Sequence, residues 1–330
     1  MLKDTDFMFA SARIRAAESK GTPKERLDQL LEATDLAQLR AIVADWTGSD
    51  PDLSLDELLD RSLVSAVSLM QEAVPDLTAY RFLLNKYDCC NIKIAIKNAV
   101  GESRFDDVYF SVGTVPAEKI KEMPLTGDYS LLPTHMATAA PEALAAYKQT
   151  GEGRGIDLLL DKACFADSAD SAAETAVPFL MEWNALKSDT VNLLSSLRIS
   201  RMKMPVDTAL ALFRRAFVSG GSIAEEAFFN AEEGLLPLEK VALSIAASDL
   251  RAAAVQAGSV GSNALAEHIL DDVADKRIAA IRQLPFGPEV PALFLLIREA
   301  EIRNVRLIAA GLAAGLTRDQ IKERVRVFYV

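Results

Sequence analysis

A chain of 330 residues can bury roughly three-quarters of its unfolded surface, and that length points to several domains or to one built from repeats. Half the residues are hydrophobic but only 7% are aromatic, with alanine and leucine dominant and glycine and proline sparse, so the chain reads as helical. A net charge of −11 argues against a nucleic-acid partner, an odd set of three cysteines with two adjacent argues against a disulfide framework, and two histidines leave zinc short of ligands.

In chain order, the N-terminal MLKDTDFMFASARIRAAESK has no hydrophobic core of the signal-peptide kind, and residues 5–19 are expected to be helical. Gly21-Thr22-Pro23-Lys24 then reads as a helix stop and start in one. An acidic signature follows, Asp56-Glu57-Leu58-Leu59-Asp60. Next comes Asp88-Cys89-Cys90-Asn91-Ile92, with acid and asparagine at i and i+3 on one helix face. That spacing lets the carboxylate orient the amide while the amide ties down backbone groups of an adjoining helix end. Tyr87, Asn91 and Asn98 share the face, so a buried polar tie is expected. Segments 105–115 and 325–330 are β-branched and aromatic, but tertiary context is expected to keep them helical. Gly151-Glu152-Gly153-Arg154-Gly155 lacks the lysine of a phosphate loop and reads as a loop before the next helix.

The signatures recur. Asp157-Leu158-Leu159-Leu160-Asp161 and Glu267-His268-Ile269-Leu270-Asp271 repeat the acidic one; Asp189-Thr190-Val191-Asn192 and Glu301-Ile302-Arg303-Asn304 repeat the asparagine one. The interval from aspartate to asparagine is 31, 31 and 33 residues (60 to 91, 161 to 192, 271 to 304), a register that chance rarely keeps over three copies. A third signature, Gly113-Thr114-Val115-Pro116, recurs as Gly221-Ser222-Ile223-Ala224 and Ala314-Gly315-Leu316-Thr317. In these turns glycine is expected to end one helix and Ser/Thr to cap the next, with capping-box spacing from Ser222 to Glu225 and from Thr317 to Gln320. The expected organisation is all-α, with helical repeats at 22–114, 115–222 and 223–315. Segments 1–21 and 316–330 are expected to pack together and close a ring.

With these signatures in place, the chain resembles the family of the C (d-type) subunit of the V/A-type rotary ATPases. The resemblance rests on DCCNIKIAIK at 88–97, GTVPAEKI at 113–120, FASARIRAAES near the start and EAEIRNVRLIAAGLAAGLTRDQIKERV near the end, so it spans the chain. It implies a funnel of three similar subdomains about a pseudo-three-fold axis. It also implies a non-catalytic rotor component without cofactor or metal, coupling central-shaft subunits of the D/F type to the membrane rotor ring at the cytoplasmic face. Cys89 and Cys90 depart from the family pattern, as does Leu194, which stands where a basic residue is expected. No stretch is long and apolar enough to span a bilayer; the best, 292–316, carries five charges.

Asp60, Asp161, Asp271, Asn91, Asn192 and Asn304 are the expected structural ties. Arg13, Arg15, Arg303 and Arg306, drawn from the two terminal segments, are candidates for a basic partner-contact or closure spot, with ion pairing such as Glu299 to Arg303 as the alternative. Two other readings remain open. Asp271-Asp272-Val273-Ala274-Asp275 fits the Asp-Asp-x-x-Asp pattern of Mg²⁺-dependent isoprenoid synthases, and a helical-repeat scaffold can serve some other partner.

Overall fold

The structure is a computed structural model that describes residues 3–18, 23–101, 108–230 and 232–325. It is all-α. In order the helices are α1 (Met8–Glu18), α2 (Pro23–Leu31), α3 (Leu36–Thr47), α4 (Leu55–Ala73), α5 (Arg81–Val100), α6 (Ala117–Thr126), α7 (Thr134–Thr150) and α8 (Gly153–Thr175). Then come α9 (Pro178–Arg201), α10 (Val206–Ala216), α11 (Leu238–Val241), α12 (Ser248–Ser259), α13 (Asn263–Ile281), α14 (Glu289–Ala313) and α15 (Arg318–Lys322). Among the described residues the one sheet is an antiparallel ribbon of β1 (Phe229–Asn230) and β2 (Gly234–Leu235).

Local chemistry sets several helix ends. Ser54 and Glu57 form a capping box at the start of α4, Asp35 accepts from the Gln38 N–H at the start of α3, and Gly48 closes α3 in the left-handed conformation. The capping box expected at Thr317 and Gln320 opens α15, and Gly315 before it is left-handed.

The chain divides into two compact units, residues 78–277 and residues 1–77 with 278–330. The first holds two hydrophobic cores of the same design. One draws Ile92 and Ile96 from α5, Val115 from the turn, Ile120 from α6, Met136 and Ala140 from α7, and Ile156 and Leu160 from α8. The other draws Leu193 and Leu197 from α9, Ile223 from the turn, Val241 from α11, Leu250 and Ala254 from α12, and Leu270 and Val273 from α13. Each core thus joins an asparagine helix, the turn after it, two following helices and the next acidic-signature helix. The first core runs across the sequence boundary at 114/115 and the second across that at 222/223.

The second unit repeats this recipe with the two ends of the chain. α14 carries Asn304 and packs on α2, α3 and α4, the last bearing the first acidic signature. α1 packs on α4 and α14, and α15 packs on α14 and α2. Ala10 and Ile14 of α1 and Leu58 and Met70 of α4 are buried in its core.

Two expectations need correction. Residues 108–115 are not helical, because their backbone groups are taken up by side chains of α5, described below. The rest of 105–115 lies outside the described residues, as do 326–330. The turns at 113–115 and 221–223 are not helix stops with Ser/Thr caps: α5 ends at Gly101, α6 has Pro116 at its N-cap, and Ser222 makes no box with Glu225.

Candidate functional site

The asparagine signature builds the same tie in two copies. On α5, the carboxylate of Asp88 accepts the N–H of Thr114 at 2.9 Å, the N–H of Val115 at 3.1 Å and the hydroxyl of Thr114 at 2.5 Å. On α9, Asp189 accepts the N–H of Ser222 and of Ile223 at 3.0 Å each, and the hydroxyl of Ser222 at 2.5 Å. Glycine precedes the hydroxyl residue in both because a Cβ on Gly113 would overlap Oδ1 of Asp88, and one on Gly221 would overlap Oδ1 of Asp189. The acid therefore serves the turn and not, as the spacing suggested, the amide beside it.

The asparagine serves backbone too. Asn91 donates to the carbonyl of Phe110 at 3.0 Å and accepts its N–H at 2.9 Å; Asn192 does the same with Val218, at 2.9 Å in both directions. An amide replaces a neighbouring strand, satisfying both groups of one residue in an irregular segment. The shared face of α5 completes the contact, with Tyr87 against the Phe110 ring at 5.2 Å and Asn98 donating to the Tyr109 hydroxyl. Asp88, Asn91 and Asn192 have no exposed surface and Asp189 almost none. Burial pushes the Asp88 carboxyl above the usual carboxylate range, while its bonds to Thr114 and Val115 pull the other way.

In the third copy the described contacts of the acid are with arginines. Glu301 on α14 accepts from Nε and Nη2 of Arg26 on α2, at 2.8 and 2.5 Å, and lies 3.2 Å from Arg298. Arg26 and Glu301 are both nearly buried, and Asn304 is 1% exposed. Gly21 and Thr22, which precede Arg26, lie outside the described residues.

The acidic signatures face the asparagine helix of the preceding copy. Asp161 meets Lys93 at 2.5 Å and Asp157 meets Lys97 at 2.7 Å; Asp271 meets Lys187 at 3.4 Å and Glu267 meets Arg198 at 2.7 Å. In the other unit Asp56 meets Arg306 of the last copy at 3.7 Å, while Asp60 is half-buried on α4. The order of pairing among copies is therefore first with second, second with third, third with first. The sequence did not mark these bases as partners, although a signal exists: a base stands two residues after Asn91 and Asn304, and six after Asn91 and Asn192. Leu194 breaks the first series, and Lys187, about two turns upstream, takes its place on Asp271.

The four arginines do not form one spot. Arg13 pairs with Glu72 at 2.5 Å, near the C-terminal end of α4, whereas Arg306 pairs with Asp56 near its N-terminal end. Along α4 those partners are about 24 Å apart. Arg15 bonds Glu18 at 2.7 Å and the carbonyls of Arg282 and Leu284 at 2.9 and 2.8 Å, and Arg303 is exposed on α14. Asp271 and Asp272 are engaged by Lys187 and His268, and among the described residues no three carboxylates, histidines or cysteines gather to hold a metal. Gly151 ends α7 in the left-handed conformation and Gly153 begins α8, so the glycine run is a helix-to-helix junction. No helix among the described residues is long and apolar enough to cross a membrane.

The buried acids and asparagines of α5 and α9 bind the chain's own backbone and so act as structural ties. Residues 10–324 match the model of the ATP synthase (C/AC39) subunit family, and the chain belongs to that family. It is 25% identical to the C subunit of the A-type ATP synthase of Thermococcus onnurineus, covering 98% of this chain and 91% of that one. It is 20% identical to the C subunit of the V-type sodium ATPase of Enterococcus hirae (96% and 97% covered) and 23% to the C subunit of the A-type ATP synthase of Haloquadratum walsbyi (96% and 96%). The family is one of non-catalytic stalk subunits, so this chain is not an enzyme.

Proposed function

We propose that this chain is a rotor subunit of a V/A-type ATPase, seating the central shaft on the membrane rotor ring and transmitting torque between them. The observation that carries the reading is the match along residues 10–324, over essentially the whole described chain. The cyclic order of the pairings supports it. Three equivalent copies, each keyed to the next by an acidic signature, suit a body that must resist twisting without chemistry of its own. The three-subdomain, pseudo-three-fold funnel belongs to this proposal, as does a peripheral position at the cytoplasmic face of the membrane. So does contact of the terminal segments with the ring or shaft.

The test is reconstitution with the D/F-type shaft subunits and the rotor ring of the same organism. Co-elution with both is expected. A complex lacking this chain should hydrolyse ATP without moving ions. Failure to bind either partner at low and at moderate salt, or ion transport unaffected by its omission, overturns the proposal.

A further inference from the structure

The contacts between α5 and α8 run in one antiparallel register, and they bracket two thiols. Lys97 of α5 meets Asp157 of α8 at 2.7 Å. One turn back along α5 and one turn on along α8, Lys93 meets Asp161 at 2.5 Å. Farther in the same direction the Ser168 hydroxyl donates to the carbonyl of Phe82 at 3.5 Å. Between these contacts the register brings together Cys89, four residues before Lys93, and Cys164, three after Asp161. Cys89 Sγ donates to the carbonyl of Leu160 at 3.4 Å, one turn before Cys164, so the thiol lies against that turn of α8. Both cysteines belong to one core, Cys89 2% and Cys164 7% exposed. Cys90 is turned about 100° from Cys89 around α5, so these neighbours cannot bond to each other while the helix stands.

The corresponding positions of the second joint, at the same spacing from Asn192 and Asp271, hold Thr190 and Ala274, so the sulfur pair belongs to the first joint. Cys164, and not Cys89, lines a cavity of about 130 Å³ between α5, α8 and α9, with Phe82, Phe165, Trp183, Lys86 and Lys187. The Cys89 thiol is held well above the usual thiol range, first by its side-chain hydrogen bond with Cys164 and then by burial, so it stays protonated at neutral pH.

We propose that Cys89 and Cys164 form a redox site, in which a hydroperoxide entering the cavity converts the dithiol to a disulfide fastening α5 to α8. The Cys164 sulfur attacks one peroxide oxygen; the S–O bond forms, the O–O bond breaks, and the thiol proton leaves with the other oxygen as water or an alcohol. Cys89 Sγ then attacks the sulfenic sulfur; the S–S bond forms, the S–O bond breaks, and the hydroxyl leaves with the Cys89 proton as water. The two thiols give up two electrons and the peroxide takes them, and a small dithiol reverses the change by exchange. The site stands on these two helices and does not depend on the rotor assignment.

Full-length protein treated with hydrogen peroxide in native buffer, then denatured and titrated for thiols, tests it. The chain's three thiols should fall to one. A peptide map should join Cys164 to Cys89 and leave Cys90 free for alkylation. The bridge should form equally in Cys90→Ser and not in Cys89→Ala. It closes the long loop from 89 to 164, so the urea midpoint should rise on oxidation and return with dithiothreitol. Three thiols remaining, Cys164 over-oxidised without a cross-link, a link through Cys90 or between chains, or a bridge that forms only in urea overturns the proposal. An unchanged or lower midpoint overturns the fit of the bridge to the folded joint.

Discussion

Two joints within residues 78–277 share one frame and differ in where they keep positive charge. At the first, Lys93 and Lys97 meet the acidic signature and Asp167 caps α7; at the second, Leu194 stands in place of Lys93, Lys187 and Arg198 meet the acids, and Arg277 takes the place of Asp167. Yet the ties from acid and asparagine to the turns agree in both copies to about a tenth of an ångström. The ties serve backbone N–H and C=O groups, which are the same whatever the sequence, so their partners cannot drift. Side-chain pairs can be rebuilt from another turn of the same helix, and they have been.

The largest effects should come from the turn-binding acids. Asp88→Ala and Asp189→Ala each strip two buried N–H groups and a hydroxyl of their acceptor, and each should cost roughly 3 kcal/mol in urea unfolding. Near-equality of the two would confirm one tie built twice. A loss below about 1 kcal/mol at either position would mean that water replaces the carboxylate and that the comparison fails there.

Next come the amides. Asn91→Ala and Asn192→Ala each remove a reciprocal pair of hydrogen bonds, and about 2 kcal/mol is expected for each. Amide exchange of Phe110 and Val218, whose N–H groups bond to the two amides, should accelerate in the corresponding variant alone. Acceleration at both sites in either variant would show that the joints open together.

Acid should then separate the joints. Burial raises Asp167 and Asp88 above the usual range, so between the ordinary and the raised value the folded chain holds a proton that the unfolded chain has released. Acidification through that window stabilises the first joint. Asp249 at the second is lowered, chiefly by its hydrogen bonds from Arg277, so its contribution is present above the ordinary value and lost as pH falls through the lowered one. Asp249→Asn should therefore cost stability at neutral pH and nothing in strong acid. Asp167→Asn, which can still cap α7, should be close to neutral at pH 7 and lose ground to the parent on mild acidification. The same sign for both variants, in unfolding followed from pH 7 to pH 3, would break the distinction.

Much of this was legible in the sequence. Repeat spacing placed the acid and the asparagine of each copy on one helix, and both are buried there, because periodicity reports which face is buried. The acid's target was not legible: Thr114 lies 26 residues from Asp88, and Ser222 lies 33 from Asp189, across segments of different length. Nor was the irregular path of 108–115, since propensity for extended backbone says nothing of which side chain will stand in for a strand. Thr317 did cap its helix as expected while Ser222 did not, although both have capping-box spacing. The difference is the buried carboxylate of Asp189, which takes the Ser222 hydroxyl and N–H in a charge-assisted pair of bonds that a helix end cannot match.

The smallest effects should come from the charge pairs that look most like fastenings. In Lys97 with Asp157, and in Arg198 with Glu267, every side chain is between 38% and 48% exposed. Pairs this exposed gain little from Coulomb attraction and lose side-chain freedom, so Lys97→Met and Arg198→Met should each change stability by no more than about 0.5 kcal/mol. Raising salt from roughly 50 to 500 mM should shrink both effects further, because exposed charges are screened. Against losses several times larger at Asp88 and Asn91, that outcome would place the strength of the joints in turn-to-helix ties and apolar cores, leaving the ion pairs to set which copy meets which. A loss for Lys97→Met alone above the roughly 2 kcal/mol expected at Asn91 would reverse the ranking at the first joint. Lys93 would then be the residue to change next, because at 16% exposed it is the least hydrated of the four charges in that joint's two pairs, and its contact with Asp161 is the one that solvent weakens least.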